Sequence, residues 1–586
     1  MYLHFVVSWA VDYGLLAYAT GPHAGINLGY MYPIYIDAVV HEQMYYSTNV
    51  TTMKRVLASV AHGKPEVRHP NEQHTKFDYL FDDIVNDPTK HLPTSANTVA
   101  ALKKLGSTMV EPENSDLNSN SPIPPIYTYW GQFVDHDTTA NTDRDGVTSN
   151  ITKNPLAPLS PDVVRKNLEN LREPSLNLDS VYGDGPHAKP TGDDEFVPYE
   201  GIKLKLGEAV VADGIPGDRI PPVNDLARDL PRKHDTKDPK NIGVAMIGDA
   251  RNDENLVVAQ LHVAFIRFHN AAVDSIKKKS PGKKDDEIFK LARNLTRWSY
   301  QWVVVHDFLK TVAIPSIVDK VLDNKGDGLL RLGYRGTYMP LEFSVAAYRF
   351  GHSMVRPEYD WNRNFGRPGK VIENAPFDLL FQFTGRPSAE DRFRGQPRLP
   401  FNWIAEWDRM VDKKSQFSDR FARRIDTKIA PPLGVLRNEG NDNKTSPDIR
   451  ALLKQLAERN LLRGYLLSLP TGQAVAEKLG VKLLTTEEMT KGSSDQRIRA
   501  LKEGGFVDKT PLWFYVLRES EVRAGGKSLG DIGSRIVAET IIGHIKNDSS
   551  SYLNQEGWDP SKGVLLKNGL PVRSISDFLR FAGVLA

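Results

Sequence analysis

The sequence predicts a large, mostly α-helical protein with few short strands. Three observations carry that expectation. Apolar residues recur at helical spacing over long stretches. Alternating apolar/polar runs are scarce and short, Ile202 to Leu206 being the clearest. An apolar content of 40% beside 25% charged residues matches an ordinary globular protein, which excludes a fully disordered or collagen-like chain.

The elements follow in chain order. Residues 1 to 53 contain neither Lys nor Arg, and eight of the 21 tyrosines lie between Tyr2 and Tyr46. Val6 to Ala19 is largely apolar, but Asp12 interrupts it and no basic stretch precedes it. A secretory signal needs that basic start, and a membrane span needs ~20 apolar residues. Residues 1–65 are therefore read as an aromatic-rich extension without an integral membrane span; the compartment stays open, secretion included.

Three loops are marked by Ser, Asn, Gly or Pro: Glu111 to Pro125, Gly183 to Asp193 and Pro387 to Pro400. Between them the period is helical. Asn255 to Ile276 puts Val257, Leu261, Phe265 and Phe268 on one stripe, and Ile288 to Thr311 is a long apolar helix with Trp298, Trp302 and Val305. Glu342 to Val355 reads as a helix that Pro357 ends, because a proline disfavours helical geometry just before it. Ile449 to Ala457, Leu512 to Arg518 and Ile532 to Ile545 continue the pattern. A prior of ~150 residues per domain would divide 586 residues into about four. No linker makes such a cut, so residues 66–586 are read as one domain.

Composition also narrows the chemistry. With 75 basic and 73 acidic residues, a net charge of +2 gives no footprint for nucleic acid. No cysteine occurs, which excludes disulfides, disulfide-linked dimers, thiolate nucleophiles, cysteine zinc or iron–sulfur sites and thiolate-ligated haem.

Four segments carry polar residues in unusual settings. The first is Tyr127-Thr-Tyr-Trp-Gly-Gln-Phe-Val-Asp-His-Asp137, where Gln132 and His136 stand four apart and share a helix face. The second is Gly248-Asp-Ala-Arg-Asn-Asp-Glu-Asn255, just ahead of a helix that Asp253 is placed to cap. The third, Tyr348-Arg-Phe-Gly-His-Ser-Met-Val-Arg356, sets His352 on an apolar helix. The fourth runs from Asn460 to Pro470. Taken singly, each has a bland reading: a solvated helix end, a cap, a hydrogen-bonded core histidine, a helix-ending asparagine.

In this order and spacing the four segments resemble the animal-type haem peroxidases, the peroxidase–cyclooxygenase superfamily. The first resembles that family's distal helix, the second its distal arginine motif and the third its proximal histidine motif. The fourth resembles a later motif whose asparagine and proline stand ten apart, as Asn460 and Pro470 do.

The resemblance implies a mostly helical haem domain that reduces hydrogen peroxide through a ferryl product. It implies His352 as the axial ligand of haem b, with Asn460 accepting its Nδ1 proton. His136 would move a proton from one peroxide oxygen to the other. Arg251 would stabilise the charge that develops between them, and Gln132 would organise distal water and halide. Asp135 and Glu254 match carboxylates that form esters with haem. Arg349 and Arg463 match positions beside a haem propionate, or are ordinary ion-pair residues. Asp137 matches a ligand of one calcium, completed by Ser175, Asp179 and the Asn177 carbonyl, with Ser180 as a possible last ligand. Asn255 replaces the methionine of the myeloperoxidase pattern, so bromide, iodide, thiocyanate or phenolic donors are expected ahead of chloride.

Three other readings compete. A fatty-acid dioxygenase or cyclooxygenase carries a tyrosine three residues before the proximal histidine; here that position is Arg349, and Tyr348 is one place, about 100°, away. A non-catalytic scaffold would not need the full acid–base set. A metal phosphohydrolase using His136 and Asp137 would need further ligands, for which His262 and His269, seven apart, are the nearest candidates; His269, in Arg267-Phe-His-Asn270, is read as structural.

Overall fold

The computed structural model describes residues 75–586 apart from 113–119, 143–149, 188–196, 212–214, 221–224, 235–241, 325–327, 330–336, 386–397, 412–419 and 437–445. The reading of residues 1–65 lies outside them, as does most of Pro387 to Pro400. Among the described residues helix makes up 51% and strand 7%, so the fold is mostly α, as expected.

Four strands, β1 (Thr75–Asp78), β2 (Asn141–Thr142), β3 (Glu169–Asn170) and β6 (Tyr338–Pro340), form one small sheet in the order β2-β3-β1-β6. β1 runs antiparallel to β3 and parallel to β6, with Phe77 opposite Met339. The expected strand near residue 204 is half of a two-stranded hairpin, β4 (Tyr199–Glu200) with β5 (Lys203–Leu204). It is pinned to the helix beside it, since Asn270 bonds both the Leu204 amide and carbonyl. His269 Nε2 lies 3.0 Å from the Ile202 carbonyl and its Nδ1 3.0 Å from the Tyr182 hydroxyl, a structural role in full.

Helix α1 spans Ala96–Ser107, and α2, Ile126–Thr138, carries the first motif. Trp130, Phe133 and Asp137 share one face of α2, so Gln132 and His136 fall on another. Phe133 stacks on Phe265 at 4.2 Å, and Trp130 meets Phe265, Tyr300 and Phe578 within 5.9 Å. Burying two such aromatics is worth several kcal/mol, which fixes the rotation of α2 and with it the direction of His136. The far end is held too: Asn170 accepts from the Ala140 amide and donates to the Thr138 carbonyl.

The partners of α2 are α3 (Leu256–Lys279) and α4 (Asp285–Val303), the latter running on through a wide π turn, Val304–Phe308, to Val312. Asn255, not Asp253, caps α3, its side chain accepting from the Val258 amide. Asp253 instead forms a buried pair with Arg232, which outcompetes a cap bond for a carboxylate at this depth. α3 is long and apolar enough to cross a membrane, but 83% of that stretch is buried against the rest of the chain, as in the core helix of a globular protein.

The helix expected over Glu342 to Val355 is broken. A π turn (Glu342–Ala346) is followed by a 3₁₀ turn (Ala347–Phe350) and a short α turn (Gly351–Met354). The wide turn lets Phe343 and Tyr348, five residues apart, stack at 4.5 Å, which a regular helix would not allow. Arg349 Nε donates to the Ser344 carbonyl beside the break. Helices α5 (Leu456–Leu466), α6 (Leu512–Arg523) and α7 (Asp531–Asn547) back this segment; the expected Ile449 to Ala457 splits between Pro447–Lys454 and α5.

Candidate active site

Helix α2 packs directly on the Gly351–Met354 turn, and the Tyr348 hydroxyl donates to the Gly131 carbonyl across the junction. The two histidine-bearing segments are therefore neighbours although more than 200 residues separate them in the chain.

On the α2 side, His136 is buried. Its Nδ1 lies 3.0 Å from Asn252 Oδ1. Its Nε2 is 3.9 Å from Glu254 Oε2, beyond hydrogen-bond reach. Burial and then the Arg251 charge push its pKa down to about 4, so the ring is neutral at pH 7. Gln132 is fixed at both ends of its amide, donating to Glu254 Oε2 at 3.0 Å and accepting from Asn255 Nδ2 at 3.1 Å. Asp135 accepts from the Thr139 hydroxyl at 2.9 Å.

Arg251 does more than sequence reasoning assigned to it. Its Nε and Nη2 bond the Asp249 carboxylate, and Nη2 also donates to the His136 and Thr139 carbonyls. It thus clamps the end of α2 as well as facing His136 electrostatically. Asp249, fully buried, is held well below the usual carboxylate range by Arg251 and Arg172. Arg172 in turn pairs with Asp179 at 3.3 Å. Asp249 and Arg172 were missed; their pairing spans 77 residues, and nothing local announces it.

On the other side, His352 is half-buried. Burial, with Arg349 and Arg459 nearby, pushes its pKa down to about 3. The expected polarity at Asn460 is reversed here. Arg349 Nη1 donates to Asn460 Oδ1 at 2.9 Å, so the amide meets His352 Nδ1 with its Nδ2, at 2.8 Å. The cause is the guanidinium, which has only donors and claims the oxygen. Arg349 is lowered to about 10 by burial and then by Arg463, which places Arg463 within electrostatic reach of it.

Asp137 is fully buried, accepting from Ser180 Oγ at 3.0 Å and the Leu178 amide at 3.3 Å. Burial and the neighbouring Asp179 push it up to about 8. Ser175 Oγ and Asp179 Oδ1 are buried with no hydrogen-bond partner. Two carboxylates with orphaned oxygens beside them fit a hard cation, although Arg172 already supplies one positive charge. Asn177 spends its side chain within the loop, on the Asp179 amide and Glu173. Among the described residues, no group of three or more His, Asp or Glu side chains is placed to hold a metal, so the phosphohydrolase reading gains nothing.

Residues 205–382 match the family model for animal haem peroxidase, a span that includes Arg251, Glu254 and His352 but neither His136 nor Asn460. A dual oxidase of Caenorhabditis elegans is 30% identical over 172 residues, covering 27% of this chain and 10% of that protein. A chorion peroxidase of Drosophila melanogaster is 28% identical over 177 residues, covering 28% and 21%. The matched stretch is thus a minor part of either relative. Peroxidase A of Dictyostelium discoideum has a similar fold: TM-score 0.55 at 15% identity, over 88% of this chain and 94% of that one. Over residues 205–382 the chain is thus similar to the animal haem peroxidase family.

Proposed function

We propose that the protein is a peroxidase that binds haem b through His352, reduces hydrogen peroxide and oxidises a small anion or phenol. The observation that carries this reading is His136: a buried imidazole held at Nδ1 by Asn252, with Nε2 beyond hydrogen-bond reach of Glu254, on a helix packed against the turn that bears His352. Two imidazoles on neighbouring elements with guanidinium groups nearby fit a haem, and binding through His352 Nε2 would turn the Asn460 oxygen to His352 Nδ1. Once bound, the haem iron supplies the two-electron reduction.

The chain's own residues move the protons. His136 Nε2 accepts one from the nearer peroxide oxygen and returns it to the farther one, which leaves as water; such a group contributes roughly 10²–10⁴ in rate. The Arg251 charge favours the anion formed in between. Hydrogen peroxide gains two electrons and two protons overall, and the donor loses two electrons, from one halide or two phenols. Gln132, held by Asn255 and Glu254, orients water or halide. With Asn255 in place of methionine, bromide, iodide, thiocyanate and phenols are the assigned donors. Arg349 and Arg463 serve the haem carboxylates, Asp135 and Glu254 are the candidate ester positions, and one calcium is assigned to Asp137, Ser175, Asn177 and Asp179.

The purified chain should show a Soret band that His352→Ala abolishes together with peroxide turnover; survival of both would overturn the reading. Acid–acetone extraction should leave haem on the polypeptide, and free haem in the extract would remove the ester assignment.

A further inference from the structure

Behind the candidate base stands a second histidine that the proposed reaction does not use. Asn252 lies between the two, and all three side chains are buried. The amide presents Oδ1 to His136 Nδ1 at 3.0 Å and Nδ2 to His262 Nδ1 at 3.1 Å. His262 also touches Phe133 edge-on, at 6.3 Å between centroids, which holds its ring against α2.

A neutral imidazole has one proton and two nitrogens, and whichever nitrogen faces an acceptor keeps the proton. Asn252 Oδ1 therefore draws the His136 proton to Nδ1 and leaves a lone pair on Nε2. The amide could equally well turn round. In the observed orientation His262 occupies the other end of the amide, its Nδ1 accepting from Asn252 Nδ2. That arrangement leaves the His262 Nε2 proton buried without a partner, a penalty typical of groups retained at functional sites rather than for stability.

We propose that Asn252 is the positioning residue that sets the tautomer of His136, and that His262 acts through it by fixing the direction of the amide. This rests on the peroxidase reading for its purpose but not for its test. A proton on Nε2 would disable the base without moving any heavy atom.

The test is nitrogen-15 NMR of the full chain with labelled histidines, the His136 signals being identified by their loss in His136→Gln. The wild type and Asn252→Asp should show Nδ1 protonated and Nε2 bare. Asn252→Leu should transfer a large share of the proton to Nε2, and His262→Phe a smaller share. In the haem-loaded enzyme, Asn252→Leu should slow the reaction with peroxide about 100-fold, and Asn252→Asp should largely restore it. A wild-type His136 protonated on Nε2, or a tautomer unaffected by Asn252→Leu, overturns the proposal. A chain that shows the expected tautomer yet takes up no haem would refute the peroxidase reading and leave this inference standing.

Discussion

Asp249→Asn isolates a single charge in the network beneath helix α2. Asp249 accepts from Arg251 Nη2 at 2.6 Å and Arg172 Nη2 at 2.6 Å, and it also accepts the Arg251 amide as a turn cap. Asparagine caps as well as aspartate does, so the substitution removes the charge and keeps the cap. Arg172 retains Asp179, but the other hydrogen-bond partners of Arg251 are carbonyls, so its guanidinium is left buried without a counter-ion. Breaking a buried pair from one side costs about 3–5 kcal/mol. That is a large share of the 5–15 kcal/mol typical of a folded chain. Removing the stranded charge as well, in Asp249→Asn/Arg251→Met, should recover part of the loss. Urea unfolding followed by the fluorescence of the nine tryptophans compares Asp249→Asn, Arg251→Met and the double variant. A loss below about 1 kcal/mol for the single variant, as for an exposed pair, or a double variant worse than the sum of its parts, refutes the argument.

Other outcomes follow from the same structure. Glu342, fully buried beneath the Leu80 and Phe81 amides, is pushed up to about 7 by burial. Its folded pKa lies above its unfolded one, so its contribution is intact below about 4.5 and lost as pH rises through about 7. The stability gap between wild type and Glu342→Gln should therefore change by about 3 kcal/mol between pH 4.5 and 8; a constant gap removes the assignment. Asn460→Asp offers an oxygen to both Arg349 and His352 and should keep haem, whereas Asn460→Leu should weaken its retention about tenfold or more, read by transfer to apomyoglobin; equal retention would show that Asn460 is idle. Chelation should lower the thermal midpoint of the wild type but not of Asp137→Asn, and identical midpoints before and after chelation would withdraw the calcium site.

Much of the architecture was legible because helical period is a local property. Leu261, Phe265 and Phe268 lie on one buried stripe of α3 as the spacing requires. The break at Ala346–Ala347 was not legible, because neither residue is a proline or glycine; the Phe343–Tyr348 stack, together with a carboxylate reaching across to residues 80 and 81, is what the regular helix yields to. In the site, the family resemblance of the four segments together singled out His136, Gln132 and His352. It was silent on Asp249 and Arg172, and on which way Asn460 would face.

By itself, then, the sequence determined a helical chain without thiols and two histidine-bearing segments of the right composition. Tertiary structure alone decided that Arg251 clamps a helix end, that Asn460 gives its oxygen to Arg349 and that Asn252 stands between two imidazoles. The reason is physical: burial and periodicity follow from neighbours three or four residues away, whereas a hydrogen bond has a direction, and which donor reaches a given acceptor first is settled only when segments more than a hundred residues apart are packed together.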